Sequence, residues 1–189
     1  MMLKDEVNKA LKVVQDGGII LYPTDTIWGI GCDATNTDAV KKIFALKQRE
    51  ESKSMIILLD IDNKLQSYIS EVPDIAYDLI EYAEHPLTLV MPGAKNISPA
   101  LIAEDGSVGV RVTNHPFCQQ LIQRLRKPLV STSANISGQP SPEYFSKIDQ
   151  EIIDGVDYVV DMDQYSTEVK RPSTIMRLDP SGSFQFIRR

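Results

Sequence analysis

The chain of 189 residues has little cysteine, no long apolar run and no surplus of positive charge. Cys32 and Cys118 are too few for a disulfide framework or a zinc site, so we expect two free thiols. Without a run of roughly 20 apolar residues or an apolar signal segment after the start, a cytoplasmic location is expected, with no membrane partner. The net charge of −6 opposes nonspecific attraction to nucleic acid.

The composition is that of an ordinary globular protein. Apolar residues make up 42% and charged residues 24% of the chain, which excludes a disordered or fibrous protein. A chain of this length favours one domain with one sizeable core. We therefore expect residues 1–189 to form a single domain.

Apolar periodicity predicts alternating helices and strands. Helices are expected at 5–15, 37–46, 73–82 and 116–126, with Thr37 as the N-cap of the second. Strands are expected at 19–22, 55–59, 87–90, 108–112, 129–130, 158–160, 174–178 and 184–187. Strands interleaved with helices indicate an α/β fold, and the closely spaced late strands favour a mixed sheet. Segment 161–171 is polar and is predicted to be a mobile loop.

Five short polar segments follow or interrupt the apolar strands, where α/β proteins usually bind ligands. They are 23–26, 47–49 together with Lys53, 109–111, 131–138 and 171–174. Arginine suits phosphate because its guanidinium donates two parallel hydrogen bonds. The chain has neither G-x-x-x-x-G-K-[ST] nor G-x-G-x-x-G, so any nucleotide site must be of another design.

Each segment also has a plainer interpretation. Lys47 and Arg49 near a helix C-terminus could be solvated charges that the helix dipole favours, and residues 131–138 could form an ordinary turn. Arg111 lies in an apolar strand and must either face solvent or meet an anion, of which the anion is favoured. His85 and His115 lack neighbours with metal-ligand spacing, so no metal site is expected.

Read in order, the segments resemble the YrdC-like threonylcarbamoyl-AMP synthases. The resemblance rests on Tyr22-Pro-Thr-Asp-Thr-Ile-Trp-Gly-Ile-Gly-Cys-Asp-Ala34, Lys47-x-Arg49, Pro86-Leu-Thr-Leu-Val90, Val108-Gly-Val-Arg-Val112, Ser133-Ala-Asn-Ile-Ser-Gly138 and Ser173-Thr-Ile175. It implies an open, twisted mixed sheet with flanking helices and a positively charged concavity. It also implies an enzyme, a nucleotidyltransferase, that condenses L-threonine, bicarbonate and ATP with Mg2+ into threonylcarbamoyl-AMP and pyrophosphate.

The product would supply a tRNA threonylcarbamoyl transferase complex that modifies adenosine 37, and weak RNA contact would accompany this role. The resemblance carries site roles to matching positions. The implied catalytic residues are Lys47, Arg49, Ser133 and Asn135. The implied threonine-binding residues are Thr24, Lys53, Arg111, Ser131 and Ser173. The implied ATP-binding residues are Lys47, Arg49, Ser107, Ser133, Asn135, Ser141 and Arg188.

The sequence departs from the family pattern at Ser54, at Ala83-Glu84-His85 and at Thr113, and these changes concern the shape of the threonine pocket. The chain ends soon after the last motif, so the short, single-domain form of the family is expected. Two other functions stay open: a noncatalytic double-stranded RNA-binding module of the same fold, and a carbamoyl-transfer domain like those of hydrogenase maturation proteins. Net acidity disfavours the first, and the lack of further domains disfavours the second.

Overall fold

The computed structural model of the chain describes residues 3–48 and 55–189. The helices are α1 (Leu3–Gln15), α2 (Thr37–Leu46), α3 (Leu65–Tyr68), α4 (Ile75–Glu81), α5 (Pro116–Leu125) and α6 (Gln150–Gly155). The strands are β1 (Ile20–Tyr22), β2 (Gly29–Gly31), β3 (Ile56–Leu59), β4 (Leu87–Met91), β5 (Val108–Val112), β6 (Leu129–Ser133), β7 (Tyr158–Val159), β8 (Thr174–Leu178) and β9 (Phe184–Arg188). Short 3-10 turns lie at Asp62–Lys64, Pro99–Leu101 and Phe145–Lys147.

The strands of the described residues form one sheet in the order β7-β1-β2-β6-β3-β5-β4-β8-β9. The pairs β1–β7, β3–β5 and β4–β8 are parallel, whereas β1–β2, β2–β6, β3–β6, β4–β5 and β8–β9 are antiparallel. The order is linear, with β7 and β9 at its two edges. The predicted open, mixed α/β sheet is therefore confirmed.

Helices pack on both faces of this sheet, because its strands alternate in the direction of their side chains. Leu58 packs with Val7 of α1 and Phe117 of α5 in one core cluster. Its neighbours Ile57 and Leu59 belong to a second cluster, which includes the buried residues of α2. The fold is thus three layers deep, with α1 and α5 on one face.

The start of α2 corrects the predicted N-cap. The side chain of Asn36, not Thr37, accepts a hydrogen bond from the backbone N–H of Ala39 at 3.0 Å, and Asn36 has extended backbone angles. Thr37 is the first helical residue, and its hydroxyl accepts a hydrogen bond from Ser98 at 2.9 Å. Both residue types can cap a helix, so the sequence alone did not distinguish the two neighbours.

β2, α3 and α6 have weak patterns and were not predicted from the sequence. β2 reads Gly-Ile-Gly, and glycine is depleted in strands. The structure explains Gly31 by close approach: a Cβ there would lie 2.2 Å from the backbone oxygen of Val130 and 2.7 Å from Cε1 of Tyr22. Glycine at this position lets β2 pass between its neighbours.

The two cysteines are free and buried, as expected from their number. Burial raises the pKa of both thiols, so neither is a ready nucleophile. Within the described ranges, no helix is long and apolar enough to cross a membrane.

Candidate functional site

A cavity of about 200 Å3 lies on the sheet face that α1 and α5 cover only in part. Ile56 and Arg111 line it, and Arg111 pairs in register with Leu58, which lies under those helices. Gly109 and Ser131 pair with Ile56 from the two neighbouring strands. Because paired residues share a face of a sheet, the cavity is the uncovered continuation of the surface on which α1 and α5 pack.

Arg111 is the most deeply buried cation that lines the cavity. It is 4% exposed, and its Nη2 lies 3.4 Å from Oδ1 of Asp25. Its Nε is buried and has no hydrogen-bond partner within the described ranges. The predicted anion at Arg111 is thus in part a carboxylate of the protein itself. The remaining Nε donor leaves Arg111, which lines the cavity, with one unsatisfied hydrogen-bond donor among the described residues.

Thr24 organises the turn that precedes β2. Its Oγ1 donates to the backbone oxygen of Ile27 at 2.7 Å and accepts from the backbone N–H of Thr26 at 3.0 Å. Thr24 is 1% exposed and does not line the cavity, whereas Thr26 does. The structure therefore gives Thr24 a role in shaping the cavity wall.

Lys47 lies at the C-terminal end of α2, where a solvated charge was one interpretation. Instead its side chain is 1% exposed, and Nζ donates to the backbone oxygens of Ser133 and Asn135, both at 2.5 Å. The backbone N–H of Ser137 donates in turn to the oxygen of Lys47 at 2.8 Å. Lys47 thus joins α2 to the segment that follows β6, and the interpretation as a solvated charge is wrong.

Asn135 lies in that same segment and is 8% exposed. Its Nδ2 donates to the backbone oxygens of Ile136 and Gln139 at 2.9 and 2.8 Å. Its Oδ1 is buried and lacks a partner in the part of the chain that the structure describes. Asn135 and Lys47 do not line the cavity, but both fix the segment that begins with Ser133, which does.

Ser173, which directly precedes β8, lines the cavity. It is 4% exposed, and its Oγ lies 2.8 Å from Oγ1 of Thr88, a residue of β4 that has no exposed surface. The backbone oxygen of Ser173 accepts from Nε and Nη2 of Arg188 at 3.1 and 2.8 Å. Partial burial and the charge of Arg111 lower the pKa of Arg188. Both guanidinium groups line the same cavity.

The structure brings several of the predicted site residues together and leaves others apart. Arg111, Ser131, Ser133, Ser141, Ser173 and Arg188 line the cavity. Ser107 does not: it precedes β5, and its Oγ donates to Oδ1 of Asp105 at 2.6 Å. That hydrogen bond, followed by one from Arg177, lowers the pKa of Asp105 to about 2. Arg49 and Lys53 lie outside the described residues, as does the departure at Ser54.

Three polar lining residues received no site role of their own from the sequence. Thr26 and Thr132 lie in the predicted polar segments 23–26 and 131–138, and the third is Thr88. Thr88 had a usable pattern, because it is the one polar residue in the strand Leu-Thr-Leu-Val-Met. Period-two alternation turns it away from Leu87, Leu89 and Met91, and a buried hydroxyl needs a partner. Trp28 packs on Phe145 at 4.8 Å between ring centroids and also lines the cavity.

Segment 161–171 contains no helix or strand and is mostly exposed. It contacts the body of the protein beside the Thr24 turn: Nζ of Lys170 donates to the backbone oxygen of Thr24 at 3.1 Å, and Asp163 lies 3.4 Å from Nε2 of His115. Burial lowers the pKa of His115, which favours its neutral form. His85 and Thr113, where the sequence departs from the family pattern, do not line the cavity.

The donor set of the cavity suits an anionic ligand better than a bare cation. Its lining contains hydroxyls and guanidinium groups, and no aspartate or glutamate among the residues that the structure describes. Within the same residues, no group of three His, Cys, Asp or Glu side chains could hold a metal ion. Magnesium commonly binds through the phosphates of a nucleotide, so these residues fit a magnesium ion that enters with its nucleotide.

The family model described as telomere recombination, Sua5/YciO/YrdC, matches residues 12–189. The chain belongs to the Sua5/YciO/YrdC family. A relative in this family, threonylcarbamoyl-AMP synthase of Pseudoalteromonas translucida, is 37% identical over 155 residues. That alignment covers 80% of this chain and 83% of the relative.

Solved structures of the Sua5/YciO/YrdC family share the fold. P. abyssi Sua5 complexed with L-threonine superposes with a TM-score of 0.81 at 27% identity, over 91% of this chain and 50% of that one. The chain thus spans about half the length of that Sua5 protein. E. coli YciO superposes with a TM-score of 0.84 at 22% identity, over 100% of this chain and 90% of YciO, which supports the fold alone.

Proposed function

We propose that this chain is a threonylcarbamoyl-AMP synthase, a nucleotidyltransferase that condenses L-threonine, bicarbonate and ATP to threonylcarbamoyl-AMP and pyrophosphate. The main observation behind the proposal is that distant segments of the chain meet at one cavity. Segments that resemble the synthases and lie far apart along the chain, from Thr26 through Arg111 and Ser133 to Ser173, line one cavity. Relatives named threonylcarbamoyl-AMP synthase match most of the chain, and P. abyssi Sua5 has been solved with L-threonine.

The threonine side of the cavity is assigned to its buried donors. The unpartnered Nε of Arg111 suits the carboxylate of an amino acid, because a charged hydrogen bond is stronger than a neutral one. Ser131 and Ser173 supply hydroxyls nearby, and Thr24 shapes the adjoining turn. Lys53 completes the proposed threonine-binding set.

The nucleotide side is assigned to the remaining predicted residues. Ser133, Ser141 and Arg188 line the cavity and would contact ATP, while Lys47 and Asn135 would hold the segment that begins with Ser133. Arg49 and Ser107 complete the proposed nucleotide-binding set. Magnesium, bound to the triphosphate, would supply charge neutralisation for the departing pyrophosphate.

The proposed reaction needs no covalent bond to the protein. The threonine amine and bicarbonate condense to a carbamate with loss of water, and a carbamate oxygen then attacks the α-phosphorus of ATP. The bond from that phosphorus to the bridging oxygen breaks, and pyrophosphate leaves. The protein contributes by fixing the carboxylate near Arg111 and the phosphates near Arg188, so that positioning and charge lower the barrier.

The product would pass to a transferase complex that forms N6-threonylcarbamoyladenosine at position 37 of tRNA. Pyrophosphate release from ATP and magnesium, measured with and without L-threonine and bicarbonate, tests the proposal. We expect release that requires both cosubstrates and falls in Arg49→Ala, with the exposed Lys41→Ala as the control that keeps activity. Release that ignores threonine would refute the synthase, and salt-sensitive binding of duplex RNA in its place would indicate the RNA-binding module.

A further inference from the structure

The hydroxyls of Thr88 and Ser173 form a buried pair at the wall of the cavity. Their oxygens lie 2.8 Å apart, and the two residues are 0% and 4% exposed. Thr88 lies in β4 and Ser173 directly precedes β8; the two strands pair in parallel, with Thr88 opposite Ile175. Both residues line the cavity, so the pair is closed to bulk water on the protein side and faces the ligand space on the other.

Counting protons shows what this pair can offer a ligand. Each hydroxyl has one proton to donate, and their mutual hydrogen bond uses one of the two. Across the described ranges, neither hydroxyl has a second hydrogen-bond partner in the protein. One O–H donor therefore remains, on a pair of residues that both line the cavity. A ligand atom that accepts hydrogen bonds would satisfy it.

The backbone of Ser173 is fixed independently of this pair. Arg188 donates two hydrogen bonds to its carbonyl oxygen, and the N–H of Thr174 donates to the oxygen of Pro86 at 3.0 Å. With its backbone held, the remaining freedom of Ser173 is rotation of its side chain and hydroxyl. The hydrogen bond with Thr88 restricts that rotation.

We propose that Thr88 is a positioning residue, which donates to the oxygen of Ser173 and thereby directs the Ser173 proton at the bound amino acid. The inference rests on the proposed synthase function, in which Ser173 belongs to the threonine site. Thr88 itself need not touch the substrate. Together with the unpartnered Nε of Arg111, the directed hydroxyl gives the cavity two fixed donors for the oxygens of L-threonine.

A double-mutant cycle on pyrophosphate release tests this role. Thr88→Val keeps the shape of the side chain and removes its hydroxyl. It should lower kcat/KM for L-threonine roughly threefold to tenfold, the effect of one hydrogen bond, with an unchanged KM for ATP. Ser173→Ala should have a similar effect. In the double variant the loss should stay near that of Ser173→Ala alone, because Thr88 acts through Ser173.

Controls separate this inference from the function on which it rests. Thr174→Val, on the opposite face of β8, removes a hydroxyl outside the cavity and should leave kcat/KM unchanged. If Thr88→Val does not fold, Thr88→Ser and Thr88→Ala give the same comparison, since both lack the methyl group and they differ by the hydroxyl. A wild-type protein without threonine-dependent release would overturn the function. An active wild type with multiplicative losses in the double variant, or none in Thr88→Val, would overturn the positioning role.

Discussion

Replacing Lys47 by methionine tests whether this buried lysine acts through the protein or on the substrate. Methionine has nearly the same length and remains compatible with a buried site, but it has no donor. The change therefore removes the two hydrogen bonds from Nζ to the backbone oxygens of Ser133 and Asn135. Both oxygens belong to the segment that follows β6 and forms part of the cavity wall.

The structure sets the magnitude of the expected loss. Each buried carbonyl that loses its donor costs about 1–3 kcal/mol. Part of this sum is offset, because the variant no longer has to bury a desolvated ammonium group. We expect Lys47→Met to lower the free energy of unfolding by about 3 kcal/mol. For a chain of this size, that corresponds to a fall of about 6–12 °C in Tm.

Urea unfolding and pyrophosphate release should be measured on the same preparation. Lys41→Met, an exposed position on the same helix, is the matched control, and it should change the free energy of unfolding by less than about 0.5 kcal/mol. Lys47→Met should lose both stability and threonine-dependent release. A variant that loses activity while its free energy of unfolding equals that of the wild type would refute the structural role and return Lys47 to direct contact with substrate.

Three further predictions follow from buried groups. Arg111→Lys should raise the KM for L-threonine roughly tenfold with little change in the KM for ATP. The reason is that one ammonium cannot bind both Asp25 and a substrate carboxylate as a guanidinium can. Equal effects on both KM values in steady-state assays would contradict this. Burial alone would raise the pKa of Glu6, but hydrogen bonds from Tyr158, Lys9 and the Asp161 N–H hold it below its ordinary value. Its stabilisation is therefore present above the pKa of the unfolded chain and is lost as the pH falls through the lowered pKa of the folded protein. Glu6→Gln should abolish this part of the pH dependence of unfolding, and an unchanged acid profile would count against it. Neither Cys32 nor Cys118 should react with a thiol reagent at pH 8 until the chain is denatured, and rapid labelling of the native protein would disprove their burial.

The sequence predicted most of the sheet because its strands are apolar and short, and are separated by clear turns. β5 and β8 have the predicted bounds, 108–112 and 174–178. The elements that it missed lack that pattern: β2 consists of two glycines around Ile30, and its place in the sheet depends on close approach to Val130. Steric room beside a distant strand is a tertiary property, and no local pattern encodes it.

The site was predictable in its residue types and less so in its contacts. Arg111 drew attention because a charge inside an apolar strand needs a partner, and the structure supplies Asp25. Lys47 gave no such indication, because a lysine at a helix C-terminus is ordinary. Its burial arises from a segment 86 residues further along the chain, whose carbonyls accept from it. The alternatives for Lys47 could be separated only once that segment was in view.

One property of the sheet accounts for both the core and the cavity. Along β3, Leu58 faces α1 and α5, and Ile56, two residues earlier on the same face, lines the cavity. The change from core to site therefore occurs within one strand, at the point where the helices cease to cover it. A polar residue buried on this face beyond that point needs a hydrogen-bond partner, and Thr88 and Ser173 supply one to each other. The residues that determine substrate recognition should accordingly be found by following strand register outward from the helix-covered core, because a position paired with a core residue shares its face of the sheet.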